Sequence, residues 1–113
     1  TVTCKDDFLT VLAALRDSVA GEVLVVDGQG GTKALAGELF STEAERRGLA
    51  GIVIDGGFRD ARTVKQLEMP VYARHLNPMA GTTKTLFATQ ITITCGGVKV
   101  EPGDIIFGDE DGL

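Results

Sequence analysis

Two short runs, VLVVDG at 23–28 and GIVIDG at 51–56, repeat one pattern 28 residues apart. Each is a continuous apolar strand that closes on Asp-Gly and leads through a loop into a helix-like segment. Strands of this unbroken apolar kind belong to parallel sheets covered on both faces. Two adjacent βα units place both Asp-Gly loops at the carboxyl edge of one sheet, where α/β folds bind ligands.

The remaining elements fit that frame. Asp6-Asp7 can cap a helix whose Phe8, Val11, Leu12, Leu15 and Val19 share one face, and Gly21 ends it. The run DGQGGTKALAG reads as a glycine-rich loop, and GELFSTEAERR as a helix that stops at Gly48. Ile52–Ile54 forms the second buried strand. Asp60 can cap a short helix ending near Met69-Pro70, and Val71–Ala73 is a third strand. Beyond Thr82 come ITITC, GGVKV, EPGD and IIFGD, read as short strands and tight turns with no helix; Pro102-Gly103 suits a type II turn. With 113 residues the chain fits one α/β domain, residues 1–113, burying about two-thirds of its unfolded surface. It opens at Thr1 inside a strand-like TVTCK and stops straight after a turn-like DEDG, so it reads as a piece of a longer chain.

Charge and cysteine usage exclude several classes. Sixteen acids against eleven bases give a net charge of −5, the wrong sign for a nucleic-acid binder. The basic doublet Arg46-Arg47 lies at a helix end, where cations favour the dipole. No apolar run approaches the roughly 18 residues of a membrane span. Cys4 and Cys95 are far apart, without a CxxC or a histidine cluster, which argues against zinc and for small buried thiols in a reducing, cytoplasmic setting. His75, the only histidine, falls in the polar run ARHLNP and reads as a surface or loop residue. Asp27 and Asp55 are expected to stabilise the turns after their strands. The acidic GDEDG lacks the spaced ligands of a calcium loop and reads as a solvated turn.

Chemistry must therefore come from the two loops. From Gly28, both the dinucleotide fingerprint and the phosphate-binding P-loop need glycine at a position held by Lys33, so both fail. What survives is the start of the next helix, where free N–H groups at Gly37 to Phe40 can cradle an anion. The other loop, IDGGFRD, presents Arg59 and Asp60 side by side. Gly56 and Gly57 leave room for something to approach the backbone. Arg59 is a donor fork suited to a carboxylate or a developing oxyanion. Asp60 is a hard oxygen ligand of the kind Mg²⁺ takes singly while keeping its waters, and Glu38 supplies a second carboxylate on the same edge.

The runs GELFSTEAERRGLAGIVIDGGFRD, MPVYAR, GTTK and CGGVKVEPGDIIFGDEDG resemble the RraA-like family over nearly the whole chain. That family includes class II 4-hydroxy-4-methyl-2-oxoglutarate/4-carboxy-4-hydroxy-2-oxoadipate aldolases and the regulator of ribonuclease E activity. Its most specific element is an acid, twenty residues, then Arg-Asp, met here by Glu38, Arg59 and Asp60. The resemblance implies a β/β/α fold similar to the phosphohistidine swivelling domain, assembled as trimers or pairs of trimers with the site between subunits. It implies that Gly37, Glu38, Leu39 and Phe40 bind the carboxylate of a small 2-oxo acid, and that Arg59 contacts substrate and stabilises an enolate. It also implies that Asp60 holds Mg²⁺ or Mn²⁺ and that Glu38 orients water on the metal. Some aldolases of the family use a C-terminal acid reaching into a neighbour's site, which a chain ending at DEDGL is not expected to supply.

The residue types agree with retro-aldol cleavage, in which charge grows on the keto oxygen of departing pyruvate and Arg59 beside a Lewis acid answers it. The same enolate forms when oxaloacetate loses CO₂. A Schiff base at Lys33 or Lys84 is not needed. The competing expectation is a protein-binding regulator of ribonuclease activity, which requires neither Asp60 nor a metal.

Overall fold

The computed structural model describes residues 1–113. Its centre is a five-stranded parallel sheet built from β1 (Val2–Thr3), β2 (Val23–Asp27), β3 (Ala34–Ala36), β4 (Gly51–Phe58) and β5 (Val71–Leu76). Helices α1 (Leu9–Asp17), α2 (Glu38–Arg46) and α3 (Ala61–Val64) connect them, and β6 (Ile93–Cys95) pairs with β7 (Val98–Val100) as a separate antiparallel hairpin.

The 28-residue echo is the register of the sheet. Val23 pairs with Gly51, and the pairing runs on without slippage to Asp27 with Asp55. Alternate residues then serve opposite faces. Leu24, Val26, Ile52 and Ile54 join the larger core with Val11 and Leu15 of α1 and Ala44 of α2. Val25 and Val53 face the other way, packing with Ile93 of β6 and half-buried Tyr72 and Val100. The sheet is thus sandwiched between helices and a hairpin, the α/β architecture with a short-stranded C-terminal half expected from sequence. Both faces being covered is why the central runs Val23–Val26 and Ile52–Ile54 are apolar without a break.

β4 does the most to position the site. Its first half pairs with β2; past an irregularity between Ile54 and Gly57, its second half pairs with β3, while β5 follows along the other edge. β4 therefore runs on through Gly56 and Gly57, well beyond the expected Ile54. A Cβ on Gly57 would lie 2.5 Å from the Thr32 carbonyl oxygen and 2.6 Å from that of Lys33. The space those glycines leave is filled by the chain's own entry into β3 and admits no ligand.

The glycine-rich loop is also occupied. Asp6, at φ 50°, accepts the Thr32 and Lys33 N–H groups at 2.9 Å each through Oδ1. Gln29 N–H goes to Asp27 Oδ1, and Gly28 N–H to the Asp55 carbonyl. No free amide cradle remains for a phosphate, and the loop contains a strand, β3, that its composition concealed. Of the Asp6-Asp7 pair, Asp7 caps α1, accepting the Leu9 N–H at 3.0 Å.

Other expectations need correction. β5 extends to Leu76, so His75 is a half-buried strand residue whose Nε2 lies 3.2 Å from the Thr32 carbonyl oxygen. α3 is a single turn ending at Val64, not near Met69. Ile105–Phe107 forms no strand. Asp27 does brace its turn, but Asp55 pairs with Arg74 and accepts the Gly96 N–H at 2.7 Å, fastening the hairpin to the sheet. The Arg74 guanidinium, opposed by partial burial and helped by Gly96, holds Asp55 below the ordinary carboxylate range. The β6–β7 turn uses Gly96 and Gly97 at φ 60° and 84°, angles an Asn or Gly readily adopts. Pro102-Gly103 makes its turn with Gly103 at φ 96° and an Asp104 N–H donating to the Glu101 carbonyl.

Candidate functional site

β3 and the end of β4 lie side by side, so the segments that leave them emerge together. From β3 the chain passes Gly37 into α2; from β4 it passes directly into Arg59 and Asp60. The Arg59 N–H donates to the Ala36 carbonyl at 3.2 Å, locking the second segment to the first. Asp60 stands in the left-handed region at φ 60°, ψ 30°, a conformation that aspartate tolerates better than most residues. Although Asp60 precedes α3, its side chain makes no cap there; the expected local cap is absent. The carboxylate turns instead to α2, where Oδ2 accepts the Glu38 N–H at 3.1 Å. Arg59 Nε lies 3.5 Å from the same oxygen.

Gly37 is what lets the two segments meet. A Cβ there would fall 2.5 Å from Asp60 Oδ2 and 2.8 Å from Arg59 Cγ. Its φ of −170° is ordinary extended backbone, so the requirement is for space and not for an unusual conformation.

The meeting point opens onto a cleft of about 140 Å³, lined on its polar side by Gly37, Arg59 and Asp60 and elsewhere by Phe8, Leu39, Phe40 and β3. At its edge the N–H groups of Leu39 and Phe40 have no protein acceptor, since the first intrahelical bond of α2 runs from Ser41 N–H to the Gly37 carbonyl. Those free donors and the positive end of the helix dipole suit a carboxylate. Glu38 is exposed at the same helix end.

The structure thus brings together Gly37, Leu39, Phe40, Arg59 and Asp60 around one cleft, with Glu38 beside it joined to Asp60 through its backbone. Phe8 is the lining residue that sequence reading assigned to the core alone. It stacks edge-to-face on Phe40 with ring centroids 5.7 Å apart, and helical periodicity carried no sign of this second duty. Lys33 and Lys84 are not among the lining residues. Cys4 is buried; burial first, then Asp7 and Asp27, pushes its thiol up to about 12, and Cys95 is half-buried and likewise raised.

For a metal, the donor set is sparse. No three His, Cys, Asp or Glu side chains converge anywhere in the chain. Asp60, however, uses only Oδ2 within the protein, leaving Oδ1 without a protein donor at an exposed position. One hard oxygen facing water fits an ion that retains most of its hydration shell, as Mg²⁺ does, and does not fit a dehydrated, protein-caged site.

The RraA-like family model, described as Aldolase/RraA, matches residues 1–113. The chain belongs to the RraA-like family. A putative 4-hydroxy-4-methyl-2-oxoglutarate aldolase of Halalkalibacterium halodurans is 39% identical over 108 residues, which are 95% of this chain and 51% of that protein. The RraA-like chain therefore spans about half the length of that curated relative. Among solved structures, one titled S-adenosylmethionine:2-dimethylmenaquinone methyltransferase, from Geobacillus kaustophilus, superposes with TM-score 0.90 at 34% identity, covering 98% of this chain and 71% of the other. The RNA-processing inhibitor RraA from Thermus thermophilis superposes with TM-score 0.88 at 30% identity, over 98% and 70% of the two chains. Three activities are named on one fold, so the function of this RraA-like domain has to be argued from its site.

Proposed function

We propose that this RraA-like domain carries the active site of a divalent-metal-dependent lyase. It cleaves 4-hydroxy-2-oxo acids of the 4-hydroxy-4-methyl-2-oxoglutarate type to pyruvate, with oxaloacetate decarboxylation as a side activity. The single observation behind this reading is the Asp60–Glu38 contact, which draws the guanidinium and carboxylate at the tip of β4 to the open amides of α2. The aldolase name of the 39% identical relative supports the same class.

Each residue then has a task. The Leu39 and Phe40 N–H groups receive the substrate's C1 carboxylate, and Arg59 presents its donor fork to the keto oxygen. As the C3–C4 bond breaks, its electron pair passes into the pyruvate enolate, the C4 hydroxyl gives up its proton and a C4 carbonyl forms. Charge growing on the keto oxygen strengthens the Arg59 contact in the transition state more than in the ground state, which is what lowers the barrier. Asp60 Oδ1 would hold Mg²⁺ or Mn²⁺, and the ion when bound supplies Lewis-acid charge. Glu38, exposed at the cleft edge, carries the proton through water to C3 of the enolate. Decarboxylation of oxaloacetate uses the same stabilisation, with CO₂ leaving in place of the second carbonyl product.

We place the domain in a homotrimer or a pair of trimers in the cytoplasm. Leu39 on α2, Leu76 at the end of β5 and Met79 in the bend after it, each more than 60% exposed, give a neighbouring subunit apolar side chains to cover. No helix is long and apolar enough to cross a membrane.

The test is lactate-dehydrogenase-coupled release of pyruvate from 4-hydroxy-4-methyl-2-oxoglutarate and from oxaloacetate, with Mg²⁺ and then with EDTA. Turnover that survives the chelator removes the metal from the reaction. A second reading, regulation of ribonuclease activity through protein binding, draws on the 30% identical RNA-processing inhibitor. It is favoured instead if no acid is cleaved and the domain retains an RNA-degrading endonuclease in pull-down, unaffected by Asp60→Ala.

A further inference from the structure

β3 has little of its own to hold it in place. It is three residues long and meets β4 in two registered pairs, Ala34 with Gly57 and Ala36 with Phe58, with a shift between them. Yet the residue that follows it, Gly37, has to stop in tight contact with Asp60 and Arg59. The placement comes from behind, where the chain turns after β5. There Asn77, half-buried, gathers three segments. Its N–H donates at 2.9 Å to the carbonyl of Phe58, the last residue before Arg59. Its side-chain Nδ2 donates to the Thr32 carbonyl at 2.8 Å, and its Oδ1 accepts the Met79 N–H at 2.9 Å.

Those bonds fix the approach to β3 on both sides. The Thr32 carbonyl oxygen, with His75 Nε2 also 3.2 Å away, is the one packed over Gly57. The N–H of the same peptide, at Lys33, donates to Asp6 Oδ1. An asparagine that accepts the N–H two residues on braces its own turn, here the bend of Met79. The Met79 carbonyl then accepts the Ala34 N–H at 2.8 Å, and the Gly81 N–H returns to the Ala34 carbonyl at 2.9 Å. Resting on the lyase reading above, we infer that Asn77 is a positioning residue of this site. It sets how far β3 advances along β4, and so how closely Gly37 brings the open α2 amides to Arg59 and Asp60. Asn77 does not line the cleft. Its effect passes through Thr32 and Ala34 to the Asp60–Glu38 contact, where a displacement of about 1 Å is costly.

The test pairs the coupled assay with NMR of the protein in Mg²⁺. The Glu38 amide proton reports its bond to the Asp60 carboxylate by a downfield shift, and Asp60→Ala gives its unbonded position. The α2 amides keep the substrate carboxylate but present it out of line with Arg59. Asn77→Ala is therefore expected to lower kcat by about tenfold or more, with KM changed by less than about threefold. The Glu38 resonance should move toward its unbonded position, while the amides of Val26 and Ile54 in the core stay where they are. Asn77→Asp has the same size and keeps the oxygen for Met79 while losing the donor to Thr32. It should show both changes in smaller measure, and it decides the matter should Asn77→Ala fail to fold. Wild-type kcat and a wild-type Glu38 resonance overturn the inference, as does either change without the other. Movement of the Val26 and Ile54 amides alongside Glu38 overturns it too, by making Asn77 a general prop of the fold. If the wild type cleaves neither substrate of the assay, the lyase reading falls and the Glu38 resonance alone decides whether Asn77 sets the contact.

Discussion

The Asp60 carboxylate accepts the backbone N–H of Glu38 at 3.1 Å, capping a helix that begins 22 residues before it and ignoring the one that follows it. A residue placed to cap its own helix has been turned through the left-handed region to serve another. That choice joins the end of β4 to the start of α2 and leaves α3, a single turn, without a side-chain cap. A structural cap and the carboxylate proposed to hold the metal are thus one side chain, with Oδ2 facing the helix and Oδ1 left over.

The two duties separate by substitution. Asp60→Ala removes both and is expected to destabilise the fold by about 1 kcal/mol, the usual value of a lost N-terminal cap, while abolishing turnover. Asp60→Asn keeps a carbonyl oxygen for Glu38 N–H and tolerates the same backbone angles, so its denaturation midpoint should stay near that of the wild type. It should be as inactive as the alanine variant, because the amide is a poor ligand for a hard cation. Paired urea melts and coupled assays check this; an active Asp60→Asn would detach the carboxylate's charge from catalysis.

Gly37→Ala tests the closeness of the two segments. The new methyl carbon meets Asp60 Oδ2 at 2.5 Å and Arg59 Cγ at 2.8 Å, so the Arg-Asp pair must retreat from α2. Overpacking of this kind typically costs about 1–3 kcal/mol. Activity is expected to drop by roughly 100-fold or more, since displacement of about 1 Å at a positioning contact is enough to cost that much. Wild-type kcat in a folded Gly37→Ala protein would show that the Asp60–Glu38 contact is incidental.

How much of this was legible beforehand depends on whether a feature was local. The β2–β4 pairing was readable because both strands carry the same apolar run closed by the same Asp-Gly, and the helices because their periodicity and glycine stops are local. The partners of loop residues were not readable. Gly56 and Gly57 signal only that something lies close; it was the Leu35 side chain and Gly28 at Gly56, and the Thr32 and Lys33 carbonyl oxygens at Gly57, brought there by a strand hidden in a glycine-rich run. Asp55 and His75 were misread in the same way: each contacts a residue more than 15 positions away, set by sheet register. Arg59 and Asp60 were legible by residue type at the tip of a strand, and Glu38 as a carboxylate expected on the same sheet edge; the acid–twenty-residue–Arg-Asp spacing carried by the family resemblance tied the three together.

Arg59→Lys isolates geometry from charge. Lysine keeps the positive charge but loses the planar fork that meets a carbonyl oxygen and its neighbour together. The side chain is 42% exposed, so stability should change by no more than about 0.5 kcal/mol. The expected effect is a fall in kcat of roughly 100-fold, comparable to removing one oxyanion donor, with KM much less altered. Equal losses in binding and rate would instead mark Arg59 as a uniform substrate anchor.

Asp7 contributes to the acid sensitivity of the fold. Only 4% exposed, it accepts the Leu9 N–H through Oδ1, and the Thr82 hydroxyl at 2.6 Å, Lys84 N–H at 2.7 Å and Thr85 N–H at 3.2 Å through Oδ2. Burial opposes ionisation, but those donors outweigh it and bring the group down to about 2 from the ordinary 3.8. A depressed carboxylate stabilises the native state fully above its unfolded value and loses that contribution as pH falls through its folded value. The shift corresponds to about 2 kcal/mol, present at neutral pH and lost between about pH 4 and pH 2. Asp7→Asn places an amide donor among these donors, so it should lower the urea midpoint at pH 7 and flatten its decline over that acid window. Because the clasp ties residues 82–85 to the turn that carries Phe8, the variant should also loosen the Phe8–Phe40 wall. A variant with the wild-type acid profile would show that the buried carboxylate contributes nothing by being charged.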